Sequence, residues 1–334
     1  MRRHPLLWAT GLLLLLTWVA LCTGAYPLAG RDILALVFGR PSGSPPASAE
    51  AAQVLFAIRL PRVFAAMLVG AALAGAGAVY QNLFRNPLVS PDILGVSSGA
   101  ALGAVLAIFL SLPLLAIQGF AFAGGLIAVA LVYAIGSAVR NHDPILALIL
   151  TGVVVGTLFG AGIATLKYLA DPYNQLPAIT FWLLGSLAAI SPSDLVIAIP
   201  LMVIGLVPII LLRWRINVLA LSDDEVRALG VNAKALRATM IASATLMTAA
   251  AVAIAGVIGW IGLLIPHTAR LMIGPEFARL LPLSLILGAA FLLGVDTWAR
   301  TLAAIEIPPG VVAALAGAPL FLWLLVRTQV EAKP

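Results

Sequence analysis

The stretch LSDDEVRALGVNAKALR, Leu221 to Arg237, is a short polar insert between two long apolar runs. Its first half has the pattern of a helix start. Ser222 is placed to cap, Glu225 to reach back from the third helical position, and Gly230 to end the turn in a left-handed conformation. A second short helix is predicted from Asn232. Two stubby helices on one face of a chain rich in apolar runs read as a docking surface for a partner, the alternative being an ordinary solvated loop.

Outward from the insert, the chain is apolar almost throughout. Of its 334 residues 62% are hydrophobic and 10% charged, and the mean hydropathy is +1.11. A water-soluble fold has no interior large enough for that much apolar surface, so the sequence specifies an all-α integral membrane protein. A helix needs about 20 apolar residues to cross. Ten segments qualify: 6 to 24, 61 to 82, 93 to 110, 113 to 139, 145 to 170, 193 to 212, 237 to 256, 257 to 273, 281 to 300 and 311 to 327. The seventh and eighth form one long run, divided by a tight turn at Gly256, Gly259 and Gly262. The basic, apolar amino terminus has the look of a secretory signal, but it suits a retained first helix.

An even number of crossings puts both termini on one side. Thirteen of the 19 Lys and Arg residues then fall on the side that carries the insert, and six, among them Arg59, Arg62 and Arg300, on the other. The positive-inside rule makes the insert and both termini cytoplasmic. The loop PSGSPPASAE, Pro41 to Glu50, becomes external. Glycines recur every fourth residue at Gly95, Gly99 and Gly103 and again at Gly152, Gly156 and Gly160, a spacing that lets helix backbones approach closely. Pro87, Pro91, Pro172, Pro177, Pro308 and Pro309 imply broken or half-length helices.

Several chemistries are excluded. With Lys only at 167, 234 and 333, the G-x-x-x-x-G-K-[ST] phosphate loop cannot be built, so this chain does not hydrolyse ATP by that route. No H-E-x-x-H occurs, and no catalytic residue is assigned. The single Cys22 excludes an internal disulfide and a multi-cysteine metal site; no metal site or bound cofactor is expected, and no nucleic-acid motif appears. Asp296 is the one well-embedded acidic residue, with Arg300 four residues on, and a structural ion pair between them is expected. That scarcity of intramembrane acid disfavours an ion-coupled secondary transporter. Lys167 and Glu306, near segment ends, are expected to snorkel.

RLPR at 59–62, VGAALAGAGAVYQNLFRNPLVSPDILGVSSGA at 69–100, the DDEVRALGV insert, GVIGWIGLLIPHTARL at 256–271 and PPGVVAALAGAPLFLWLL at 308–325 together resemble the FecCD family. Its members are permease subunits of ATP-driven importers for ferric siderophores, haem and cobalamin. The resemblance implies one transmembrane permease domain over 1–334 with the type II ABC importer fold, ten helices per subunit, and a homodimer in a bacterial inner membrane. It implies two cytoplasmic ATPase subunits, which use ATP and Mg, and a periplasmic substrate-binding protein. Ser222, Asp223, Asp224, Glu225, Arg227 and Gly230 match the family's coupling helices, which sit in a groove of the ATPase. Arg59, Arg62 and Arg300 match the arginines offered to glutamates of the binding protein; the alternative is interfacial snorkelling, and for Arg300 the pair with Asp296. An iron chelate, siderophore or haem is the expected cargo, with cobalamin or an oxyanion such as molybdate as the runner-up. Trp260 departs from the family's Phe. His267 occupies a position where the family carries His across different cargoes, which favours packing or hydrogen bonding over a ligand role.

Overall fold

In the computed structural model, residues 4–38, 49–138, 144–221, 223–303 and 305–331 are described. Among them every regular element is helical. The helices are α1 (Pro5–Cys22), α2 (Gly30–Phe38), α3 (Ala49–Gln53), α4 (Leu60–Leu83), α5 (Val96–Phe109), α6 (Leu114–Ala138) and α7 (Pro144–Leu169). There follow α8 (Gln175–Leu183), α9 (Pro192–Leu211), α10 (Asp223–Ala228), α11 (Ala233–Ala255), α12 (Ile261–Ile273), α13 (Phe277–Thr301) and α14 (Pro309–Glu331). A π-helical turn, Val54–Arg59, joins α3 to α4 without a break.

Among the described residues seven helical stretches are long and apolar enough to cross a membrane, and three shorter apolar helices, Val96–Phe109, Ile261–Ile273 and Pro309–Leu324, fill the remaining predicted segments. Burial sorts them into layers. The stretch ending in α4 is 78% buried over its apolar window and that of α11 72%, against 11% for α1 and 17% for α7. The inner helices are therefore α4 and α11, with α13 beside them, and α1 and α7 lie outside.

Small residues put α4 at the centre. Along it Ala65, Ala66, Ala72, Ala74, Ala76 and Ala78 are buried, and a β-carbon at Gly70 would lie 2.2 Å from the Gly288 carbonyl oxygen of α13. Backbones meet there with no side chain between them, which maximises van der Waals contact where no hydrophobic force drives helices together. The first predicted glycine trio splits. Gly99 and Gly103 press on α6, while Gly95 precedes α5 at φ +75°. In the second trio only Gly152 meets backbone closely, at Ile93, and Gly160 faces open space.

Two features depart from the sequence expectation. The second half of the insert is not a separate stub but the first turns of α11. The run Ala-Lys-Ala-Leu-Arg-Ala consists of strong helix formers, and no Gly or Pro interrupts it before Gly256. The short helices α2 and α8 escaped the apolar-length criterion; α8 lies in the Pro172 and Pro177 region and is followed by a return segment, where the Ser186 amide donates to the Ala255 carbonyl at 2.8 Å. The predicted tight turn does separate α11 from α12, with Gly256 at φ +68° and Trp260 at φ +71°. The loop 39–48, Ser222 and the 139–143 segment lie outside the described residues.

Contacts sort the helix ends into two groups. The end of α1, the starting turns of α4 and the end of α13 share one set of hydrogen bonds. At the other end Arg85, just past α4, reaches Leu219, and the Phe277 amide at the start of α13 donates to the Asn217 side chain at 3.1 Å.

Candidate functional site

At the end away from the insert, three arginines and two carboxylates close a network. Arg62, in the first turn of α4, holds Asp296 of α13 with Nε at 2.9 and 3.1 Å from the two carboxylate oxygens and Nη2 at 2.7 Å from Oδ1. Its outer edge takes Glu306, with Nη1 at 3.0 Å from Oε2 and a second contact from Nη2 to Oε1. Arg300 Nε lies 3.2 Å from Asp296 Oδ2. Asp296 has no exposed surface at all. Bidentate geometry is what makes such a buried pair tolerable, because every lone pair facing the guanidinium is used.

Arg59 and Arg300 also finish α1. The last carbonyls of a helix have no partner within it. Arg300 donates to the Ala20 and Thr23 carbonyls, both at 3.2 Å, and Arg59 Nη1 to the Leu21 carbonyl at 2.6 Å. Arg59 Nη2 reaches the Tyr26 carbonyl beyond the helix. Two cations at a helix carboxyl end also meet the favourable pole of its dipole.

These observations revise the expectation for the three arginines. Arg59 is 4% exposed and Arg62 7%, and their guanidiniums point into the protein instead of snorkelling to an interface. Arg62 is the principal partner of Asp296, so the ion pair expected from Asp296 and Arg300 alone is part of a larger cluster. Nor does Glu306 snorkel; it closes that cluster. Reversing Arg59 and Arg62 therefore removes contacts that hold α1, α4 and α13 together.

At the opposite end, α10 forms over Asp223–Ala228. Ser222 and the side chains of Asp223, Asp224 and Arg227 lie outside the described residues. Val226 is fully buried beneath the short helix. Gly230 takes φ +73°, the left-handed turn expected of it. Asn232 caps α11, its side chain accepting from the Ala235 amide at 3.0 Å. Leu229 is 59% exposed on this surface.

A residue that the sequence did not single out ties this end to the centre. Arg85 has φ +50°, rare for a side chain other than glycine. That conformation ends α4 and aims the guanidinium at the turn before α10, where Nε and Nη2 donate to the Leu219 carbonyl at 3.0 and 2.8 Å. Nη2 also reaches the Leu221 carbonyl. The innermost helix is thus bonded to the segment that leads into the insert.

His267, 7% exposed, sets its ring edge-on to Phe321 at 6.1 Å and makes no hydrogen bond through either nitrogen. Trp260 lies 6.2 Å from the same Phe321 ring. Among the described residues no three His, Cys, Asp or Glu side chains gather as metal ligands.

The chain is similar to known proteins. The "probable iron chelatin transport system permease protein" of Helicobacter pylori is 44% identical over 276 residues, 83% of each chain. The cobalamin import system permease protein BtuC of Halobacterium salinarum is 43% identical over 285 residues, 85% of this chain and 76% of that one. A solved structure, "An inward-facing conformation of a putative metal-chelate type ABC transporter", superposes with a TM-score of 0.87 at 37% identity, covering 96% of this chain and 98% of the other. The model of the FecCD transport family matches residues 12–327, and this multi-pass membrane protein belongs to that family.

Proposed function

We propose that the chain is the permease subunit of an ATP-driven importer that moves an iron chelate, a ferric siderophore or haem, across a bacterial inner membrane. The observation that carries this reading is the family match over residues 12–327, together with the named relatives. In the proposal ten helices cross per subunit, two copies pair, and both termini and α10 are cytoplasmic. The exposed Leu229 and the Arg85 tether support docking of an ATPase on α10, through Asp223 to Gly230, with force passed to α4. ATP and Mg would be used by that partner. The opposite end, with three arginines against two carboxylates, is proposed as the docking face for an acidic binding protein, its excess positive charge acting through the cluster instead of through free arginine side chains.

Cobalamin is the second cargo reading, because the cobalamin permease is nearly as similar as the iron chelatin permease. An ion-coupled carrier is disfavoured by Asp296, whose carboxylate is already held by Arg62 and Arg300. Proteoliposomes that contain the permease, its ATPase and a loaded binding protein decide among them. ATP-dependent uptake of a ferric siderophore or haem, with none driven by an ion gradient alone, is the expected result. Uptake by the permease alone under a gradient would overturn the proposal, and ATP-driven uptake of cobalamin but no iron chelate would reassign the cargo.

A further inference from the structure

Two adjoining cavities run up the seam between α6 and α11 from the end that carries the insert. The lower one, about 520 Å³, is walled by Phe84, Tyr133 and Leu148, and its mouth holds Lys234, Arg237, Asn232 and Ser137. The upper one, about 440 Å³, is apolar except for Thr245 and Tyr133, and is lined by Leu126, Ala130, Ala242 and Leu246 among others. Tyr133 and Ile241 border both, so the two adjoin in one seam, and among the described residues that line it the charged side chains are Lys234 and Arg237.

The groove has the dimensions of one bilayer leaflet. Lys234 and Arg237 are three residues apart and share a face of α11, which continues through Ile241, Ala242 and Thr245. From Lys234 to Leu246 the helix rises about 18 Å, against about 15 Å for half of the hydrocarbon thickness. Tyr133 stands between the polar and apolar parts, the depth at which tyrosine collects in membrane proteins. Exposed Ala130 and Ala242 leave the upper groove open where larger residues would fill it.

We infer that this seam binds one anionic phospholipid from the adjoining leaflet, with its phosphate headgroup at Lys234 and Arg237 and an acyl chain in the groove above. Charge at the mouth selects the headgroup, and the apolar length selects a lipid over a free phosphate. The site adjoins the insert end through Asn232, Lys234 and Arg237, lies away from the arginine cluster, and does not depend on what the permease carries.

Native mass spectrometry of the purified full chain, mixed with palmitoyl-oleoyl phosphatidylglycerol and phosphatidylcholine, tests this. The wild type should retain the glycerol lipid over the choline lipid by about tenfold. Lys234→Gln with Arg237→Gln should bring the two near parity, and Lys234→Arg should keep the preference. Ala130→Phe with Ala242→Phe should lose the bound lipid although both cations remain, and excess glycerol phosphate should not displace it from the wild type. An undiminished preference in the Gln variant, or unchanged retention in the Phe variant, would overturn the site. So would loss of the lipid whenever a copurified ATPase is bound, which would make the cavity part of that partner's seat.

Discussion

Arg62 holds two carboxylates at once, Asp296 and Glu306. Replacing it by Leu leaves Asp296 fully buried against Arg300 alone, and breaking a buried pair from one side costs about 3–5 kcal/mol. The thermal midpoint of the detergent-purified Arg62→Leu protein should fall accordingly, and adding Asp296→Leu should recover part of the loss. A single variant as stable as the wild type would show that the network holds nothing. Little of this was visible in the sequence. Asp296 and Arg300, four residues apart, could be paired by helix spacing, but Arg62 lies 234 positions from Asp296, and only the fold brings them together. Glu306 looked like an interfacial residue because sequence position near a segment end carries no information about what lies opposite.

At the scale of elements, the insert joins a turn that only glycine adopts easily to a tether made of carbonyls. Gly230→Val places a β-branched side chain at φ +73° and should cost about 1–2 kcal/mol locally. In proteoliposomes with the ATPase, hydrolysis should persist while uptake falls; uptake equal to wild type would reject α10 as a coupling element. Arg85→Ala removes the bonds to Leu219 and Leu221 without touching α10 itself, so it should produce the same uncoupling with the ATPase still bound. The long helices were legible because length and apolarity suffice to mark them. Helices α2 and α8, nine residues each, fall below that length. Arg85 had no signature because its acceptors are backbone carbonyls, which every residue has.

For the whole molecule, the two charged ends make different predictions. If an acidic binding protein docks over the arginine end, its affinity should fall as salt rises past physiological strength, where screening acts within about 8 Å. Titration of a fluorescent binding protein at increasing salt checks this, and a salt-independent affinity would count against docking through the cluster. The layering of the helices was only partly readable. The glycine trios announced close packing, but neither lies on the central α4, and which helices press upon it depends on partners such as Gly288, far along the chain.

The pairing of Arg62 with Asp296 also bears on how the protein is made. Ribosomes add about 5–20 residues per second, so Arg62 leaves the ribosome roughly ten to fifty seconds before Asp296 does. During that interval the nascent α4 carries Arg62 without the carboxylates that hold it in the folded chain, and a charge in hydrocarbon is costly. Arg62 must wait at the lipid headgroups, and α4 can settle to its final depth only once α13 has been delivered alongside it. Biogenesis of the central helix is thus gated by one of the last segments to be translated.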